Sequence, residues 1–166
     1  MRVLGLDPSS QSTGFGIIEL SGDQYNVLAY GTIKPLRRLL FHRKLNEIKQ
    51  AIEKLIAEYA PEDVAIENPF YARNIKTAIT LGQVRGAVLV AIAGCGTALF
   101  EYSPLEIKKA VTGYGQAEKS QVNLMVKALL RLDDADLEED ASDALACAFC
   151  HLNTRLYQKN IEESKI

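Results

Sequence analysis

The stretch Val3-Leu-Gly-Leu-Asp7-Pro-Ser-Ser-Gln-Ser-Thr-Gly-Phe-Gly-Ile-Ile-Glu-Leu20 decides the fold. Residues 3–7 and 15–20 are short runs rich in Val, Ile and Leu, and the cluster of Pro, Ser, Thr and Gly between them marks a turn joining two strands. A third run of this kind, residues 25–33, follows Gly22 and Asp23. Strands in succession with only turns between them imply an antiparallel meander.

Working outward, Leu45, Ile48, Ile52, Leu55 and Ile56 fall at helical spacing, and Pro61 stops the helix they predict. Residues 63–67 read as a fourth strand. After the Asn68-Pro69 break a helix is expected over 74–93, then a strand over 98–102. Ser103 and Pro104 suit the cap and first residue of a short helix, and further helices follow, the last expected over 141–157. Strands 1, 4 and 5 are separated by helices and strands 1 to 3 by turns, which describes an α/β fold with a mixed five-stranded sheet flanked by helices. This order is that of the ribonuclease-H-like architecture. The fold also serves actin-like ATPases and sugar kinases, so side chains must decide function.

The composition suits a globular chain: of 166 residues 48% are hydrophobic and 24% charged, which excludes a disordered or low-complexity polypeptide. Residues 1–166 read as a single domain, with the last residues from about 157 onward a loose tail. The longest mostly apolar stretch, residues 87–99, is broken by Gly94 and Gly96 and is short for a bilayer, so no membrane span is expected. The N-terminus lacks the apolar core of a secretory signal, which points to the cytoplasm. Cys95, Cys147 and Cys150 fit a reducing compartment. Cys147 to His151 match a haem-attachment spacing, but inside an apolar helical run the cysteines read as core residues.

Charge is distributed unevenly. Residues 1–131 hold 16 basic against 12 acidic side chains and residues 132–166 hold 3 against 9, so the net charge of -2 conceals a basic body and an acidic end. Asp7 and Glu67 each close an apolar strand. If those strands are parallel neighbours, both acids emerge at the carboxyl edge of the sheet, where sites of open α/β sheets lie. Asp140 and Asp143 share a helix face whose small neighbours Ala141, Ser142 and Ala144 permit close approach to the sheet. They would equally suit the N-terminal end of that helix as favourable charges.

Four carboxylates brought together repel by about 4 kcal/mol per pair at ~4 Å. They must therefore bind protons or cations. Oxygen ligands without His or Cys favour Mg²⁺, with Mn²⁺ a substitute, and two such ions about 4 Å apart suit phosphodiester hydrolysis. Lys108 and Lys119, with Arg73 and Lys76, supply cations for a phosphate backbone. Phe70 and Tyr71 follow Glu67 directly, where a ring can stack on an unpaired base or pack under the next helix.

Taken together, Gly5-Leu-Asp7-Pro-Ser-Ser-Gln-Ser-Thr-Gly14, Ala65-Ile-Glu67, Leu81-Gly-Gln-Val-Arg-Gly86, Ala117-Glu-Lys119-Ser-Gln-Val122 and Asp140-Ala-Ser-Asp143 resemble, in the same order, the RuvC family of bacterial Holliday junction resolvases. The resemblance implies a homodimeric, Mg²⁺-dependent endonuclease that makes paired symmetric nicks in four-way junction DNA during recombination and repair. It further implies the RuvA–RuvB branch-migration complex as a partner and a bacterial cytoplasm as the location. Asp7, Glu67, Asp140 and Asp143 match the family's metal-binding acids, Lys108 and Lys119 its DNA-contacting bases, and Phe70 its stacking aromatic. Pro69 and Tyr71 depart from that pattern, and the basic run 37–44 and acidic stretch 133–139 belong to no motif.

Gly82 and Gly86, one turn apart on the helix expected over 74–93, each cost about 1 kcal/mol against Ala, which a close helix contact offsets. The contact is either internal or, as the resemblance implies, a twofold interface. An actin-like ATPase would require a second phosphate loop, and the sequence has none. A silent DNA-structure binder gives no reason for clustered acids, which repel the backbone. A nuclease acting on RNA·DNA hybrids would share the metal chemistry and differ only in substrate.

Overall fold

The computed structural model of the chain describes residues 1–9, 11–68, 74–132 and 136–163. The strands are β1 (Arg2–Pro8), β2 (Thr13–Ser21), β3 (Gln24–Ile33), β4 (Asp63–Glu67) and β5 (Ala98–Tyr102). The helices are α1 (Phe41–Tyr59), α2 (Ile75–Cys95), α3 (Pro104–Thr112), α4 (Lys119–Leu130) and α5 (Glu139–Glu163). The strands form one mixed sheet in the order β3-β2-β1-β4-β5. β1, β2 and β3 are the antiparallel meander, and β4 and β5 run parallel to β1. This is the expected α/β architecture.

Strand alternation sorts side chains onto two faces. Leu4, Leu6, Ile17, Val64 and Ile66 join the core under α1 and α2, whereas Val3, Ile18 and Ala65 join the core under α3, α4 and α5. Asp7 and Glu67 continue the second set, so period-two geometry aims both toward α5.

α5 lies against the sheet because three glycines remove the side chains that would hold it off. Gly5 pairs with Gly16 in register, and Gly14 is the next residue of that face. A Cβ on Gly14 would collide with the Asp140 carbonyl, one on Gly5 with the Ala144 carbonyl and one on Gly16 with Leu145. Small residues were expected on the helix; the sheet's half of the close contact is these glycines.

Local signals act as expected. Pro61 follows the αL residue Ala60 that ends α1, and Ser103 caps α3 in a capping box with Glu106. Two expectations change. α5 begins at Glu139, which places Asp140 in its first turn, and it runs on to Glu163 past Tyr157, so most of the stretch expected as a tail is helical. α2 is 21 residues long and apolar enough by length and composition to cross a membrane, contrary to the expectation that no such stretch exists. One face of it, Val84, Val88, Ala91 and Ile92, is buried in the core shared with the sheet and α1.

Candidate active site

Asp7 and Glu67 stand at the ends of adjacent parallel strands, one residue beyond the register pair Leu6 and Ile66. Both are half-buried, and Asp143 of α5 meets them across a cleft of about 300 Å³. Lys108 of α3 and Lys119 at the start of α4 line the same cleft. Lys119 donates to Glu139 at 2.7 Å and to Asp143 at 3.0 Å.

Asp7 is the most perturbed of these acids. Burial, then the charges of Glu67, Asp143 and Asp140, push its carboxyl up to about 8, against the pull of Lys119. Glu67 is raised by burial and by Asp143, with Lys119 and Lys108 opposing. Burial likewise raises Asp143, and its bond to Lys119 opposes the shift. Burial would lower the Lys119 ammonium, yet its bonds to Glu139 and Asp143 raise it overall. The cleft is thus a site where negative charge is costly without a counter-cation.

The arrangement differs from a simple convergence of four acids. Asp140 adds to the field on Asp7, but its carboxylate accepts a hydrogen bond from the Ser12 hydroxyl and does not line the cleft. Among the described residues no three acidic, histidine or cysteine side chains stand close enough to hold an ion; Lys119 engages Asp143 and Ser12 engages Asp140. The chemistry of the donor set nonetheless fits a hard divalent cation. It is carboxylate only, it is desolvated, and its like charges raise one another.

Supporting bonds fix the acids. Arg85, within the 81–86 motif, donates to the Glu67 carbonyl at 2.9 Å and pairs with Glu101 at 2.8 Å. The Asn68 amide donates to the Tyr102 carbonyl at 2.8 Å, which holds the end of β4 to β5. Buried His151 of α5 donates from Nε2 to Asp63 at 2.9 Å and accepts the Tyr102 hydroxyl at Nδ1, 2.7 Å away. Burial keeps this imidazole neutral, lowering it against the pull of Asp63. The bonds join α5, which bears Asp143, to the strands bearing Glu67 and leading to α3. Sequence reasoning gives His151 no such part, because its partners are remote along the chain.

Of the other expected residues, Lys76 is exposed on the first turn of α2, beside the cleft-lining Thr77. Phe70, Tyr71 and Arg73 lie outside the described residues. Gly82 and Gly86 have open space where a Cβ would project, so among the described residues no helix of this chain packs on them. Cys147 and Cys150 are buried, and burial pushes the Cys150 thiol up to about 12, which suits core residues.

Comparison with known proteins decides the family. The family model for crossover junction endodeoxyribonuclease RuvC matches residues 3–151. The chain belongs to the RuvC family. A crossover junction endodeoxyribonuclease RuvC of Syntrophomonas wolfei is 43% identical over 164 residues, covering 99% of this chain and 95% of the relative. That of Ruminiclostridium cellulolyticum is 42% identical over 154 residues, 93% of each. Among solved structures, Thermus thermophilus RuvC in complex with Holliday junction substrate superposes with a TM-score of 0.86 at 31% identity, over 92% of this chain and 93% of that one. The yeast mitochondrial Holliday junction resolvase, at 12% identity, TM-score 0.65 and coverage of 89% and 76%, shares the fold.

Proposed function

We propose that this chain cuts four-way DNA junctions by metal-assisted phosphodiester hydrolysis, as a homodimer that makes paired symmetric nicks. The observation that supports this best is the meeting of Asp7, Glu67 and Asp143 from three separate elements in one cleft with Lys108 and Lys119. Mg²⁺ is the cation that such an all-oxygen set favours, two ions per site, with Mn²⁺ a substitute. Asp7, Glu67 and Asp143 would hold the ions from the cleft lining, with Asp140 joining them on release from Ser12. When bound, the cations supply positive charge that polarises the phosphodiester and makes water a better nucleophile.

The chain's own groups perform the rest. Asp7, protonated near neutrality in the bare protein, gives up its proton when positive charge enters the cleft. Lys108 forms no ion pair at contact distance among the described residues and acts on Glu67 only through its field, so a phosphate entering the cleft meets its ammonium. Lys119, shared between Glu139 and Asp143, tempers the acid cluster that would otherwise repel that phosphate. Phe70 or Tyr71, which follow Glu67 closely in the sequence, would stack on an unpaired base, with Arg73 and Lys76 meeting the backbone.

The homodimer reading rests on α2. Ile75 (81% exposed), Ile79 (58%) and Val90 (60%) stand in the open, and Gly82 and Gly86 leave a smooth face beside them. Such a face suits a twofold helix contact that sets two active sites against opposed strands. A bacterial cytoplasm and cooperation with the RuvA–RuvB branch-migration complex complete the proposal.

The test is cleavage of a synthetic four-way DNA junction beside a linear duplex and an RNA·DNA hybrid, with Mg²⁺ and with chelator. Symmetric Mg²⁺-dependent nicks in the junction alone are expected. Cutting of the hybrid, or junction binding with no cutting at any metal concentration, would refute the proposal.

A further inference from the structure

A second concavity opens at the same edge of the sheet, across the turn that joins β1 to β2. It encloses about 390 Å³ between the exit of β3 and the first turn of α1, with Lys34, Arg37 and Lys44 on its wall. The segment 34–44 holds these three and Arg38 and Arg43, and no acid. Lys34 is engaged by Glu138, but Arg37, Arg38, Arg43 and Lys44 form no ion pair among the described residues. Two acids reach the segment from outside it, Glu138 on Lys34 and Glu47, which accepts from the Leu36 backbone at 3.1 Å, so the five cations leave a local positive excess in a chain whose net charge is -2.

The start of α1 adds to that field. Its N-cap is Leu40, which offers no side-chain acceptor, and its first turn has no acidic residue. The free amides and the positive end of the helix dipole are left to an outside anion.

The register fixes where this pocket lies relative to the acids. Pro8 pairs with Thr13 and Thr13 with Ile33, so Asp7 precedes and Lys34 follows the same row of the sheet. β2 alone separates β1 from β3, which sets those two strands about 10 Å apart. Ser12 joins the places physically, for it lines the pocket and its hydroxyl holds Asp140.

We infer that Arg37 and Lys44 bind a backbone phosphate of the DNA arm whose strand enters the acid cleft. This rests on the junction-cutting function proposed above. Exposed Leu36 and Leu40 beside the pocket would suit a protein partner, but four cations without an ion pair, against Glu47 on the Leu36 backbone, favour a polyanion.

The experiment measures binding of a fluorescent four-way DNA junction in chelator, across a salt series, for the native chain and for Arg37→Ala with Lys44→Ala. The slope of log affinity against log salt should become shallower by about 1 for each phosphate left without its cation. Lys54→Ala, an exposed lysine elsewhere on α1, should leave affinity and slope at the native values. The charge-conserving pair Arg37→Lys and Lys44→Arg should keep the native slope. Junctions with a single methylphosphonate at successive positions then locate the phosphate that is bound. The loss from the neutral phosphate and the loss from the double variant should overlap at one position and add at the others. A native slope in the double variant, an equal loss with Lys54→Ala, or additivity at every phosphate would overturn the inference and leave the surface to a protein. Failure of the native chain to bind the junction would instead sink the proposed function, and this inference with it.

Discussion

Raising the pH of the metal-free protein from 6.5 to 8 should destabilise it, and Asp7→Asn should remove the effect. Folded Asp7 titrates near about 8, whereas the unfolded side chain titrates near 3.8. Between those values the folded state holds a proton that the unfolded state has lost. Stability from this group is therefore fully present below the unfolded value and is lost as pH rises through about 8. The slope is about 1.4 kcal/mol per pH unit for one proton, or about 2 kcal/mol across the window. For a chain of this size that corresponds to a fall in Tm of about 4–8 °C. Burial shifts Glu67 and Asp143 in the same direction. His151 is lowered from 6.5, so its contribution, of opposite sign, lies below the window. The assay is thermal unfolding in chelator at matched ionic strength, repeated with Mg²⁺, which should restore stability more at pH 8 than at 6.5 because protons and cations compete for the same carboxylates. A Tm independent of pH across this window, or the same slope in Asp7→Asn, would refute the electrostatic account of the cleft.

Gly14→Ala should cost about 3 kcal/mol, since its Cβ would collide with the Asp140 carbonyl, whereas Gly94→Ala, with only a Glu53 oxygen at 3.9 Å, should stabilise by about 0.5–1 kcal/mol. Urea unfolding of both variants checks this, and equal effects would mean that the glycine contact does not seat α5. Asp63→Ala leaves buried His151 and Arg155 without their carboxylate, which should cost about 3 kcal/mol in the same assay. A loss under about 1 kcal/mol would show that the buried bonds contribute little. Ile79→Asp, 58% exposed on α2, should leave the monomer's helical circular dichroism intact and shift light scattering at micromolar concentration from dimer to monomer. An unchanged mass would move the twofold interface elsewhere.

Much was legible in the sequence because it is local. The meander follows from short apolar runs between turn residues, α3 from Ser103 and Pro104, and the end of α1 from Pro61. Asp7 and Glu67 were legible as site residues because each ends a buried strand, and the alternation of those strands already fixes which face they share. The glycines at 5, 14 and 16 were an available signal, since alternate glycines in a strand mark a close approach.

What only the tertiary structure decided is contact between residues far apart in the chain, where charge and distance compete in ways that no local pattern encodes. It turned Asp140 toward Ser12, bonded Lys119 to Asp143, spent Arg85 on the Glu67 backbone and tied His151 to Asp63 and Tyr102. It likewise left one face of α2 open, which its all-round apolar sequence does not reveal. Sequence determines which groups are present and which strand face they take; burial and neighbouring charge, which exist only once the sheet and α5 have met, determine their protonation and partners.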